Sequence, residues 1–140
     1  MIYLDTNVLV AYINPKDKLH NKAIYLVSKH REDKIVISPI VLLELYSVFS
    51  RTMNLDDSEL KALVNYTVIK CGVEVIDIDL DELYNQSLSY ANKLKLKTLD
   101  LLHVVSAYLS GSEIILSFDK DLNNKSSVIE KVLGLRVLGL

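Results

Sequence analysis

The sequence predicts an α/β fold, a three-layer α/β/α sandwich around a central parallel sheet. Three observations lead there. Short apolar runs alternate with longer segments of helical period, the pattern of strands joined by helical crossovers. Such crossovers are right-handed and make successive strands parallel. Only four Gly and two Pro occur in 140 residues, so no linker, repeat or low-complexity tract divides the chain, and residues 1–140 are expected to form a single domain.

Each element has its own signal. Ile2 to Leu4 reads as the first strand, ended by Asp5. Thr6 to Asn14 reads as helical and stops before Pro15, whose ring disfavours a helical residue ahead of it. Lys18 to Arg31 is amphipathic, with Leu19, Ala23, Leu26 and Val27 on one stripe. Ile35 to Ile37 is the second strand. Ser38 as N-cap and Pro39 at the first helical position then open a helix that runs to about Met53. It is apolar on most faces, the mark of a buried helix. Asp56, Asp57 and Ser58 cap another helix through about Lys70. Glu74 to Ile78 alternates as a third strand, and Asp79 to Leu94 is helical with Leu83, Ser87, Tyr90 and Leu94 inward. Thr98 caps a helix over Leu99 to Leu109, with Gly111 as its C-cap. Ile114 to Leu116 and Arg136 to Leu138 complete the set as strands four and five.

Composition narrows the class. Hydrophobic residues are 50% and charged residues 24%, as in globular rather than disordered chains. The lone Cys71 excludes an internal disulfide and a Cys-based zinc site, and reads as a small apolar residue. Asp5 interrupts any secretory leader, so a cytoplasmic address is expected. The longest uncharged stretches, Thr6 to Pro15 and Leu101 to Ser112, fall short of the roughly 20 residues of a membrane span. The net charge of -2 offers nucleic acid no overall attraction. A polyanion would have to meet a local basic patch, or cations held by acids.

Ligands of open parallel sheets gather at the carboxyl ends of the strands, and four acids fall at that edge. Asp5 follows the first strand in Y-L-D-T-N. Glu44 lies in the second turn of the helix after strand two, in S-P-I-V-L-L-E-L, with Ile40, Val41 and Val48 as its helical neighbours. Asp100 lies in the first turn of its helix, where the positive helix end is expected to lower its pKa. Asp119 follows strand four in L-S-F-D-K-D, with Asp121 two residues on. Taken singly, Asp5 is also a helix N-cap, Asp100 a dipole complement and Asp119 a turn residue. A carboxylate among apolar neighbours, as at Glu44, is costly unless it faces a cation or a polar cleft. Together the four repel one another, and divalent cations with oxygen ligands, Mg²⁺ or Mn²⁺, resolve that repulsion.

These residues carry a family likeness. In the strings Y-L-D-T-N-V-L-V, S-P-I-V-L-L-E-L, T-L-D-L-L-H-V-V-S-A and L-S-F-D-K-D-L, in that order and spacing, the chain resembles the PIN domains. It is most similar to the compact VapC-like toxins of prokaryotic toxin–antitoxin pairs, and the likeness covers nearly the whole chain. The resemblance implies a parallel sheet ordered 3-2-1-4-5 and a metal-dependent ribonuclease leaving 5′-phosphate and 3′-hydroxyl ends. It places Asp5, Glu44, Asp100 and Asp119 in the acidic positions, and Asn7 and Ser117 in supporting polar ones; Ser117 stands where the family often has Thr. It also implies a dimer, and a cognate antitoxin that inserts into the groove near the acids.

The resulting expectation assigns Asp5 and Asp100 as direct metal ligands. Glu44 and Asp119 act through water or position the attacking water, and Asn7, Ser117 and Asp121 support them. A haloacid dehalogenase-type site would want a second Asp where Asn7 stands. A response-regulator receiver would want an acidic pair near strand one and a Lys after the last strand, and neither is evident. A non-catalytic RNA-binding or docking scaffold is the alternative from another class. Candidate RNA contacts are His103, Arg51 and Lys97, the last following Lys93 and Lys95. The bland alternatives are a packed histidine, a surface salt bridge and a solvated helix end. Finally, the helices at Thr6 to Asn14 and Pro39 to Met53 lack a convincing polar face, so a second copy or an amphipathic antitoxin helix is expected to cover them.

Overall fold

The computed structural model describes residues 1–140. In chain order the elements are β1 (Ile2–Leu4), α1 (Thr6–Ile13), α2 (His20–Lys29), β2 (Ile35–Ile37), α3 (Pro39–Thr52), α4 (Asp57–Cys71) and β3 (Glu74–Val75). There follow α5 (Leu80–Leu94), α6 (Thr98–Leu109), β4 (Ile114–Leu116), α7 (Lys120–Asn124), α8 (Ser126–Leu133) and β5 (Arg136–Leu138). The strands form one parallel sheet ordered β3-β2-β1-β4-β5, flanked by helices, as expected. The three inner strands are buried at every position, which explains their unbroken apolar reading. They lie within a core cluster of 31 buried residues.

Several boundaries differ from the sequence reading, for physical reasons. β3 is only two residues long because the chain leaves the ladder after Ile76 donates its N–H to the Ile37 carbonyl. α2 begins at His20, two residues later than expected, after a turn in which the Asp17 side chain accepts the Leu19 N–H. Thr98 is the first residue of α6 rather than its cap; Lys97 holds the cap position and makes no side-chain capping bond. Gly111, with φ of +78°, sits one residue beyond the C-cap Ser110. Ser38 does precede Pro39, but its hydroxyl bonds Tyr3 instead of the helix end. α4 starts as expected, on a capping box in which Asp56 and Glu59 satisfy each other's backbone N–H. Helices α7 and α8 were not anticipated.

The expected apolar faces are also corrected. No large apolar side chain of α1 is exposed, and α3 exposes only Leu43. The exposed apolar stripe lies on α5, at Leu80, Tyr84 and Leu88. No helix is long and apolar enough to cross a membrane.

Candidate functional site

The carboxyl ends of the adjacent strands β1 and β4 bring the first acid into place. Asp5 caps α1 and is 5% exposed, and its backbone N–H donates to the Leu116 carbonyl across the strand pair. Its Oδ1 accepts the Thr6 N–H at 2.7 Å. Its Oδ2 accepts the Ser117 hydroxyl at 2.6 Å and the Asn7 amide at 3.0 Å. The Asn7 carbonyl oxygen takes the Phe118 N–H at 3.0 Å, and Ser117 Oγ takes the Asp119 N–H at 3.0 Å. Asn7 and Ser117 therefore tie the two strand ends together around one carboxylate. Three of its four lone-pair positions are used, and one on Oδ1 remains. Burial raises the Asp5 pKa, opposed by the charge of His103 and the bond from Ser117.

Glu44 reaches the same cleft from α3. Its Oε1 accepts the Thr6 hydroxyl at 2.8 Å and bonds His103 Nε2. No internal bond falls on Oε2. His103 is 2% exposed, its Nδ1 shares a 3.0 Å hydrogen bond with the Tyr3 hydroxyl, and Tyr3 shares one of 2.7 Å with Ser38. His103 Nε2 also lies 3.8 Å from Asp5 Oδ1. Burial alone would lift Glu44, but the hydrogen bond and charge of His103, with help from Thr6, hold it below the usual carboxylate range. Burial alone would lower His103, and Glu44 and Asp5 overcome that and raise it.

The remaining acids form an outer group. Asp119 caps α7 through Oδ1, which accepts the Leu122 N–H at 2.9 Å. Asp100 stands in the first turn of α6, and Asp121 pairs with Lys97 Nζ at 3.1 Å. The Asp100 carboxyl is pushed up to about 6, by burial first and then by the charges of Asp119 and Asp5. This corrects the expectation of a lowered pKa, because desolvation and like charges outweigh the helix end.

All four expected acids line one cleft of about 400 Å³. The ligand atoms of Asp5, Glu44 and His103 lie within 4.8 Å of one another, as do those of Asp100, Asp119 and Asp121, the last of which stands outside the cleft lining. The outer group is all carboxylate, a donor set that fits Mg²⁺ or Mn²⁺. Burial raises Asp100 most, and the like charges of Asp119 and Asp5 that add to the shift are what such a cation would offset. The inner group already has His103 as an internal donor.

The three candidate RNA contacts differ in their placement. His103 lines the cleft but is 2% exposed, and its Nε2 is taken by Glu44 rather than by its helix-mate Asp100. Arg51 donates to the Ser47 carbonyl on its own helix and does not line the cleft. Lys97 is exposed beside the outer acids. Sequence reasoning missed Thr6, Tyr3 and Ser38. Thr6 had the one available signal, a hydroxyl next to Asp5, whereas Tyr3 sits in an all-buried strand where alternation says nothing.

Comparison with known proteins bears on the family and the fold. No curated protein matches the sequence. Among solved structures, VapC20 of Mycobacterium tuberculosis, a sarcin–ricin loop cleaving toxin, is 18% identical with a TM-score of 0.66, covering 89% of this chain and 94% of its own. VapBC2 of Rickettsia felis, bound to a promoter DNA fragment, is 21% identical with a TM-score of 0.65, over 100% and 99%. VapBC-1 of nontypeable Haemophilus influenzae is 16% identical with a TM-score of 0.68, over 99% and 98%. These likenesses establish the shared fold. The PIN domain profile matches residues 2–127, and the chain belongs to the PIN domain family.

Proposed function

We propose that the chain is an endoribonuclease dependent on Mg²⁺ or Mn²⁺, and the toxin half of a toxin–antitoxin pair. The observation that carries this reading is the meeting of Asp5, Glu44, Asp100 and Asp119 in one cleft at the carboxyl ends of β1 and β4. Family membership and a structural neighbour that cleaves the sarcin–ricin loop support RNA as substrate. VapBC and FitAB neighbours support an antitoxin as partner.

Asp5 of the inner group and Asp100 of the outer one, which line the same cleft, are the direct ligands in this reading, with Asp119 and Glu44 acting through water. A bound divalent ion neutralises phosphate oxygens and lowers the pKa of its water. Asp5 presents its remaining Oδ1 lone pair in a fixed direction, because Thr6, Asn7 and Ser117 hold the other three. Glu44 keeps Oε2 for orienting the attacking water, since Thr6 and His103 hold Oε1. Asp119 is immobilised through its capping bond. Such positioning is worth orders of magnitude in rate when the reacting groups are held close.

The test is cleavage of structured and unstructured RNAs by purified protein, with and without EDTA. Mg²⁺ or Mn²⁺ should be required, and Asp5→Asn should lower the rate at least ~10²-fold, the scale of losing a preorganised charge at the reacting centre. Cleavage that survives both EDTA and Asp5→Asn would overturn the reading. Co-expression with the small gene beside it should yield a complex whose ribonuclease activity is suppressed.

A further inference from the structure

A second concavity opens beside the acidic cleft. It measures about 310 Å³ and is lined by Lys95, Leu96, Lys97, Asn124 and Lys125, together with Asp100 and Asp121. Asp100 lines the cleft as well, so the two spaces lie side by side with that residue between them. Three ammonium groups against two carboxylates make this a basic patch on a chain whose net charge is -2. We propose that this pocket is a subsite for a backbone phosphate of the RNA strand, next to the phosphodiester held at the acids. The proposal rests on the ribonuclease reading above and deepens it.

An independent observation concerns the backbone. Lys95 is the only residue other than Gly with a positive φ, +51°, and it forms the left-handed C-cap of α5. At the equivalent caps of α4 and α8 the chain uses Gly72 and Gly134. A side chain in that conformation is strained where Gly would not be, and local strain of this kind concentrates at functional sites. What Lys95 supplies and Gly lacks is a cation at the mouth of the pocket. Its ammonium is held only by an exposed bond to Asn92.

Lys97 has a double use. Its Nζ lies 3.1 Å from Asp121 and is the sole ammonium paired with the outer acids. A cation held by those acids would compete with Lys97 for Asp121 and would free its ammonium for phosphate. The pocket has a single apolar lining residue and no aromatic, so it offers no platform for stacking a base. Ammonium groups and an Asn amide match phosphate instead, which positions a strand without reading its sequence.

The experiment is fluorescence anisotropy of a labelled single-stranded RNA across a salt series, with Ca²⁺ in place of Mg²⁺. Lys95→Gln combined with Lys125→Gln should weaken binding several-fold at low salt and flatten the salt slope by about 0.7 per lost contact. Lys95→Gly should raise the melting temperature while weakening binding, and Lys95→Arg should retain binding. Equal affinity and slope in wild type and the double variant, or no salt-dependent RNA binding by wild type, would overturn the subsite. Wild type that binds in this way but cleaves no RNA in Mg²⁺ or Mn²⁺ would sink the ribonuclease reading alone, leaving the subsite to the binding comparison.

Discussion

At the scale of single residues, the cleft is defined by where charge is left uncompensated. Asp100 keeps its proton up to about pH 6 in the fold, whereas an unfolded Asp loses it near pH 4, at about 3.9. Between those values the native chain binds more protons than the unfolded one, so the contribution of Asp100 to stability falls as pH rises. Metal-free Asp100→Asn should therefore melt above wild type at pH 7, with the gap closing as pH falls towards 4. Partial exposure screens the effect, so only a few degrees at most are expected. Mn²⁺ should then raise the melting temperature of wild type, by the equivalent of about 2.7 kcal/mol at a hundredfold excess over Kd. An equal Mn²⁺ shift in Asp100→Asn would show that Asp100 is no ligand. Tyr3 belongs to the same scale. Tyr3→Phe leaves the Nδ1 of His103 and the hydroxyl of Ser38 without their shared partner in a fully buried place. Urea denaturation should show a loss of about 1–3 kcal/mol, and an unchanged midpoint would mean that the chain from Ser38 to Glu44 holds nothing in place.

At the scale of elements, the end of β5 sets the position of Asp5. Gly139 has a φ of +147°, and a Cβ there would stand 2.0 Å from the Ser117 carbonyl oxygen. Ser117 donates its N–H to the Leu138 carbonyl at 2.9 Å and its hydroxyl to Asp5. Gly139→Ala must part β4 from β5 and shift Ser117 with them, costing about 1–3 kcal/mol as overpacking does and lowering RNA cleavage per folded molecule. Asp56→Ala is the control: it removes the α4 capping box at a cost of about 1 kcal/mol, and cleavage per folded molecule should stay as in wild type. Legibility also varied by element. The inner strands were plain because both faces are buried and their runs are unbroken. β3 was overextended because the V-I-D-I alternation outlasts its pairing. α7 and α8 escaped notice because the first is one turn of K-D-L-N-N, which reads as a loop, and the second buries only Ile129 and has no side-chain cap.

At the scale of the whole molecule, the four acids were legible because each follows a strand or sits in the first turns of a helix, positions the parallel topology gathers at one edge. Their division into an inner and an outer group was not, since it depends on His103 meeting Glu44 across 59 residues. Arg51 failed for a simple reason: seven residues along α3 carry it about 10 Å from Glu44. The proposed association with a second copy was likewise tied to α1 and α3, which tertiary packing covers. Among the exposed apolar side chains, three line up on α5, where Leu80, Tyr84 and Leu88 are 63%, 63% and 60% exposed at four-residue spacing. Residues so spaced share one helix face, and a two-fold pair would lay that face against itself. Such a contact is apolar at its centre, so charges buried there should break it. Light scattering at micromolar concentration should give a dimer mass for wild type and a monomer mass for Tyr84→Glu with Leu88→Glu, at unchanged circular dichroism. Because the stripe lies outside the cleft lining, the monomeric variant should still bind Mn²⁺ with the wild-type melting shift. A wild type already monomeric at that concentration would rule out the expected second copy while leaving the cleft chemistry intact.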